Sequence, residues 1–233
     1  MQIKRIFLGL VIALTLNSCI DSIDGNGNVV KEKRTISSFN RIDISGGYEV
    51  LVNQGADELL EIEADENLLE LIETEVRNNT LFISSTHPIG GSESLKLYIT
   101  TVKLVDIDVS GAIELSNKGT FKSENLNIDV SGAADIDLDV NVENLTMDMS
   151  GASETTLTGE ADNFEIKLSG AGELEAEKLK TRNTSIDISG AGSATVFAKK
   201  TLDISVSGAA SVKYKGSPKV TQNISGASSV TQL

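Results

Sequence analysis

Apolar and polar residues alternate with period two along most of this chain, and seven near-copies of Ser-Gly-Ala punctuate the alternation. They fall at Ser110-Gly111-Ala112, Ser131-Gly132-Ala133, Ser150-Gly151-Ala152, Ser169-Gly170-Ala171, Ser189-Gly190-Ala191, Ser207-Gly208-Ala209 and Ser225-Gly226-Ala227, one every 18 to 21 residues. Ser45-Gly46-Gly47 is an earlier relative. Counted back from each Ser, position −1 holds Val109, Val130, Met149, Leu168, Ile188, Val206 and Ile224. Position −3 is Ile or Met in six copies, and position −5 is apolar in all but one, Thr184. No apolar residue occupies −2 or −4 in any copy. This pattern predicts a strand with one buried face. Alternation resumes after the triplet, with Ile136 and Leu138, Leu174 and Ala176, or Val212 and Tyr214 at +5 and +7. Each unit therefore reads as strand, tight corner, strand and polar return, with Gly at the corner because it tolerates positive φ.

A unit of this length has no room for a crossover helix. It also lacks the Asn-Gly or Asp-Gly turns that mark a hairpin meander. The simplest packing is an all-β, single-stranded parallel β-helix, a solenoid with coils of about 18–21 residues stacked about 4.8 Å apart. Left- and right-handed coils and a sandwich of hairpins remain open; the chirality of parallel crossovers favours the right-handed form. One coil buries about five apolar side chains, at roughly 1.5–3 kcal/mol each. Ordering its backbone costs about 1–2 kcal/mol per residue. A lone coil is therefore unstable, and the repeats must stack.

The chain opens differently. Lys4 and Arg5 precede an apolar run from Ile6 to Leu16, too short for a permanent membrane span. The run ends in Leu16-Asn17-Ser18-Cys19, which resembles the lipobox of bacterial lipoproteins. Residues 1–18 then form a lipoprotein signal peptide, and Cys19 takes the lipid that ties the chain to a membrane. The alternative is a plain secretory signal with an incidental Cys. Cys19 is the sole cysteine, so its modification leaves no disulfide and stability must come from packing. Residues 19–33 read as the lipidated Cys and a polar tether. Gly25 and Gly27 lack the flanking strand, helix and third Gly of a phosphate loop.

Residues 34–102 alternate less regularly and read as an irregular N-terminal part of the solenoid that covers its end. Strands are expected over residues 39–45, 48–54, 59–63, 81–85 and 95–101, a short helix over 65–72 and a loop over 86–94. Regular coils fill 103–233. In this region the elements Gly25-x-Gly27-x-Val29, Phe39-x-x-Ile42-x-x-x-Gly46, Tyr48-x-Val50 and Gly55 resemble the start of the head GIN domain family, described as auto-transporter adhesins. The Ser-Gly-Ala coils continue the match over about residues 25–230. The resemblance implies a parallel β-helical protein of the cell envelope, of a kind common among lipoproteins of Bacteroidetes-type bacteria. It supplies no catalytic residues.

Charge and chemistry narrow the function further. The chain carries −14, and removing residues 1–18 takes away two cations and no carboxylate, leaving −16. Nucleic acid is therefore not an expected partner, because phosphate neutralisation needs a basic patch. Asp108, Asp129 and Asp148 occupy position −2 of three successive units, where a Ca²⁺ ion would relieve their repulsion. Lys167 interrupts that column, and exposed acids on a solenoid need no ion. No cofactor is expected. The Ser column (Ser110, Ser131, Ser150, Ser169, Ser189, Ser207, Ser225) reads as a structural hydroxyl stack, since a nucleophile needs an adjacent base in one unique site. His87, the sole histidine, precedes Pro88 in the loop and has no Cys or second His with it. Arg182 is the one arginine after residue 78. The last coil, Val220 to Leu233, offers a rather apolar edge, and packing of a second copy there would make a homodimer.

These features together describe a non-enzymatic, lipid-anchored envelope protein, adhesin-like, structural or binding, with a protein or glycan as surface ligand. The alternative is a glycan-binding or polysaccharide-processing module of an outer-membrane system.

Overall fold

A computed structural model of the chain describes residues 22–233. The signal peptide expected over residues 1–18 and the lipidation expected at Cys19 lie outside the described residues. The described residues are all-β, and their ten strands form one sheet that does not close on itself. They are β1 (Val29–Arg34), β2 (Arg41–Gln54), β3 (Leu59–Asp65), β4 (Ile72–Arg77), β5 (Thr80–Ser85), β6 (Leu95–Thr101), β7 (Asp106–Asn117), β8 (Phe121–Lys215), β9 (Lys219–Gly226) and β10 (Ser229–Gln232). One 3₁₀ turn, Glu66–Leu71, stands where the sequence predicted a short helix.

The repeats pair in parallel and in register, which excludes a sandwich of hairpins for this part of the chain. Ile42 faces Ile107, which faces Ile128; Ser45 faces Ser110, which faces Ser131; Val50 faces Leu115, which faces Ile136. At the far end Leu202 faces Val220 and Val212 faces Val230. The alternating positions sort as expected: Leu126, Ile128 and Val130, then Leu145, Met147 and Met149, then Phe164, Ile166 and Leu168 are all buried. Equivalent side chains thus meet their counterparts one layer away, and one apolar cluster runs from Phe39 to Val212. Thr184, the polar member of the −5 column, is accommodated by Thr181, whose Oγ1 lies 2.5 Å from the Thr184 hydroxyl and 2.5 Å from the Phe197 carbonyl oxygen.

Ser-Gly-Ala does not interrupt the strands as the sequence suggested. β7 runs straight through Ser110–Ala112, and β8 runs through five further copies without losing its ladders. The corner is made by Gly alone, whose φ lies between +101° and +138° throughout the column from Gly46 to Gly226. Each Gly also lies against the previous one. A Cβ on Gly111 would overlap the carbonyl oxygen of Gly46, and a Cβ on Gly151 that of Gly132. Backbone conformation and close approach both demand glycine there.

The N-terminal part builds one more layer and then covers it. β5 pairs in parallel with the first half of β2, and β6 with its second half. β3 then runs antiparallel to β6, β1 antiparallel to β3, and β4 antiparallel to β5. The outermost strands, β1 and β4, carry Lys31, Lys33, Arg34, Glu73, Glu75 and Arg77. Such charges discourage addition of a further strand. β4 and the β4–β5 hairpin escaped the sequence reading. Their turn uses Asn78 (φ 50°) and Asn79 (φ 63°), a pair of left-handed residues without the usual Gly.

The tether is corrected as well. Residues 29–34 are a strand, and Asp24–Asn28 is held by hydrogen bonds. Asp65, fully buried, accepts the amides of Gly27 at 2.5 Å, Glu93 at 2.9 Å and Ser94 at 3.3 Å. Burial opposes its charge, but the backbone amides outweigh that and hold its carboxyl below the usual range. Asn67 accepts the Asn26 amide and donates to the Asp24 carbonyl, both at 2.9 Å. Arg34 donates to the carbonyls of Leu69 and Ile72, each at 2.9 Å, satisfying the end of the 3₁₀ turn. These partners stand 28 to 43 residues apart in sequence, so local alternation carries no trace of them.

Tyr48 packs beside Gly46 in the core, and its hydroxyl makes no hydrogen bond of good geometry, with the Ser85 hydroxyl near enough only to favour the phenolate weakly against burial. Burial pushes its phenol up to about 12. Tyr48→Phe should therefore cost no stability and gain up to about 1 kcal/mol, since it removes an unpaired buried hydroxyl. Urea denaturation of the two proteins measures this; a loss of more than about 1 kcal/mol would reveal a partner for the hydroxyl.

Candidate functional site

The outward positions of the repeats form columns along the stack. In the Ser column, Ser150 donates to the Val130 carbonyl at 3.3 Å and Ser225 to the Val206 carbonyl at 3.4 Å. These two hydroxyls thus bond to backbone one layer down and not to one another. His87 sits exposed in the loop between β5 and β6, with Thr86 Oγ1 3.2 Å from its Nδ1. Among the described residues no three His, Cys, Asp or Glu side chains converge as a metal site.

The acidic column is longer than the sequence reading made it. Asp43 faces Asp108, and Asp108 faces Asp129. Asp108, Asp129 and Asp148 line one shallow groove of about 200 Å³. Burial pushes the Asp108 carboxyl up, aided by the charges of Asp43, Asp129 and Asp106. Burial and then Asp106 and Asp148 do the same to Asp129. A carboxyl raised in the folded state destabilises it at neutral pH, and the penalty disappears as pH falls through the raised value. Asp129→Asn should therefore melt higher than wild type at pH about 7, with the difference closing near pH about 4, the ordinary carboxylate range. A lower melting temperature at neutral pH would show that the carboxylate makes a useful contact.

Position −6 holds a feature that sequence reading missed. Asn144 donates to Asn125 at 2.9 Å, Asn163 to Asn144 at 2.8 Å, Asn183 to Asn163 at 2.9 Å, and Thr201 to Asn183 at 3.0 Å. Side-chain amides thus form a continuous ladder up one edge of the outward face. Its signal was legible: Asn recurs six residues before Ser in four successive repeats. Beside it, Thr146, Glu165, Ser185 and Asp203 occupy −4 and give the face short polar side chains.

On the other side of the ladder lies a groove of about 680 Å³, at the corner that precedes each strand. Glu143, Glu160 and Asp162 line one end; Lys180, Arg182, Lys199 and Lys200 line the other. Arg182 Nη1 lies 3.6 Å from Asp162 Oδ1, across the junction.

Comparison with known proteins agrees with this architecture. The family described as "Putative auto-transporter adhesin, head GIN domain" matches residues 38–218. A crystal structure of a "putative adhesin" from Bacteroides fragilis NCTC 9343 superposes with a TM-score of 0.84 at 24% identity, over 91% of this chain and 100% of that one. A "putative lipid binding protein" from Parabacteroides distasonis ATCC 8503 superposes with a TM-score of 0.76 at 22% identity, again over 91% and 100%. A "putative adhesin" from Parabacteroides merdae ATCC 43184 gives 0.67 at 21%, over 91% and 99%. At these identities the likeness establishes the fold. No curated relative matches the chain.

Proposed function

This chain belongs to the head GIN domain family, and on that premise we propose that it is a non-catalytic, adhesin-like binding protein of the bacterial envelope. The observation that carries this reading is the Asn125–Asn144–Asn163–Asn183 ladder with the short polar columns beside it. A face of this kind repeats the same donors and acceptors at every layer, which suits many-point contact with a protein or a polymer. It does not build the single convergent set of base, nucleophile and charge that catalysis needs.

The parallel, in-register pairing at 18- to 21-residue intervals supports a right-handed parallel β-helix as the full description of the stack. The charged run, apolar run and Cys19 of the leader support lipidation and attachment to the outer membrane. Growth on an alkyne-tagged fatty acid checks the anchor: wild type should label, and Cys19→Ser should not.

Binding is tested by screening the purified protein against glycans and extracellular proteins on a surface. A saturable ligand whose retention falls in Thr146→Lys, with melting temperature unchanged, supports the reading. Turnover of a bound polysaccharide overturns it and favours the processing alternative.

A further inference from the structure

Charge is unevenly distributed along the stack. Residues 104–177 carry seventeen carboxylates against three lysines, a formal −14; residues 178–233 carry eight Lys and Arg against two carboxylates, a formal +6. The sign reverses within β8, where Glu173, Glu175 and Glu177 give way to Lys178, Lys180 and Arg182. The groove of about 680 Å³ spans this reversal. Lys180 and Arg182 enter it from one repeat, Lys199 and Lys200 from the next, and all four are exposed. Lys199 and Lys200 both face outward because the chain turns between the buried Ala198 and Leu202. The Thr201–Asn183 hydrogen bond sets the register here, so Lys200 lies beside Arg182 at strand spacing. Arg182 has Asp162 as a partner. Among the described residues no ion pair engages Lys180, Lys199 or Lys200.

We propose that this corner binds an anionic polysaccharide, laid along the stack axis with its sulfate or carboxylate groups on Lys180, Arg182, Lys199 and Lys200. Four cations on adjacent layers repel one another, and an anion between them relieves that repulsion. Arg182 and Lys200 stand one layer apart, at the strand distance of about 4.8 Å, and Lys180 and Lys199 flank them. The cations are thus spread along the groove, which suits several charges on one polymer better than one small ion. Glu143 and Glu160 at the acidic end stop the polymer from sliding over the earlier layers. A planar anionic membrane fits less well, because a flat surface resting on this corner also meets Glu143, Glu160 and Asp162. The site is separate from the asparagine-ladder face and does not depend on it.

The test titrates the purified protein with dextran sulfate, with neutral dextran and phosphatidylglycerol vesicles as parallel arms. Saturable binding of dextran sulfate and none of neutral dextran is expected, despite the chain's net −14. Lys199→Glu/Lys200→Glu should weaken it roughly tenfold or more and flatten its salt dependence. Lys199→Gln/Lys200→Gln, which adds no charge beside Asp162, should weaken it less while melting as wild type. Lys213→Glu/Lys219→Glu, in the same basic third but outside the groove, should leave affinity within roughly twofold. The proposal is overturned by no binding, by equal loss in the Lys213/Lys219 variant, or by vesicle binding without dextran sulfate binding.

Discussion

Gly151→Ala should destabilise the protein by about 4 kcal/mol or more, among the largest effects of any single methyl group in this chain. Two costs combine. The backbone at Gly151 has φ +118°, a conformation that costs a residue with a side chain about 1–2 kcal/mol. The new Cβ also overlaps the Gly132 carbonyl oxygen and lies 3.0 Å from its carbon. Backbone cannot swing away as a flexible side chain does, so the layers must part. Parting them breaks ladder hydrogen bonds on both sides of the corner and opens the apolar interior between Met149 and Leu168. Gly119 is the internal control. Its φ is +82°, but a Cβ there meets nothing within 4 Å, so Gly119→Ala should cost only the conformational term, about 1–2 kcal/mol. Guanidinium denaturation followed by circular dichroism compares them. Equal losses would mean that close approach of the layers contributes nothing, and that φ alone selects glycine.

Asp65→Asn should lower the melting temperature by roughly 5–10 °C and loosen the N-terminal cover selectively. Asn keeps one acceptor oxygen and turns the other position into a donor. That donor faces either the Gly27 amide or those of Glu93 and Ser94, so at least one N–H around the buried carboxyl loses its partner. Hydrogen exchange locates the damage: Gly27, Glu93 and Ser94 should lose protection, while the amides of residues 126–206 keep theirs. The pH dependence has a definite sign. The Asp65 carboxyl is held below its ordinary value, so its contribution is present above the unfolded pKa of about 3.9. It is lost as pH falls through the lower folded value. Wild type should therefore release the cover in acid, and Asp65→Asn should show no such step. This runs opposite to Asp108 and Asp129, whose raised carboxyls gain stability on acidification. Mild acid should first tighten the repeats, and stronger acid should then free the cover. Loss of protection at both ends together in Asp65→Asn would mean that cover and repeats unfold as one unit.

Much of the repeat region was legible because a strand's side-chain direction is a local property. Val130, Ile128 and Leu126 point inward because alternate residues of an extended chain share a face, and that needs no knowledge of partners. The glycine column was legible for a similar reason: a recurring Gly at a fixed offset announces a recurring backbone demand. The asparagine ladder was equally visible as a recurrence, yet went unread, because polar residues at −6 look like any solvated return until the register places one amide against the next.

The elements that sequence reading missed or misjudged lie mainly where partners are distant. The strand at 29–34 shows only weak alternation, and it is a strand because β3 offers it an edge. Asp65 looked like the start of a helix; its buried carboxylate instead ties Gly27 and Ser94, 38 and 29 residues away, into one cluster. The basic groove is the same kind of feature. Lys180, Arg182, Lys199 and Lys200 lie in two separate stretches of sequence, and only a register of one repeat against the next brings them to one corner. Sequence by itself determined the extended state, the inward face and the glycine corner, since each follows from a residue's own backbone and neighbours. Tertiary structure alone decided how the end is covered, which carboxyls are buried and where unlike charges meet, since these depend on groups that only stacking brings together.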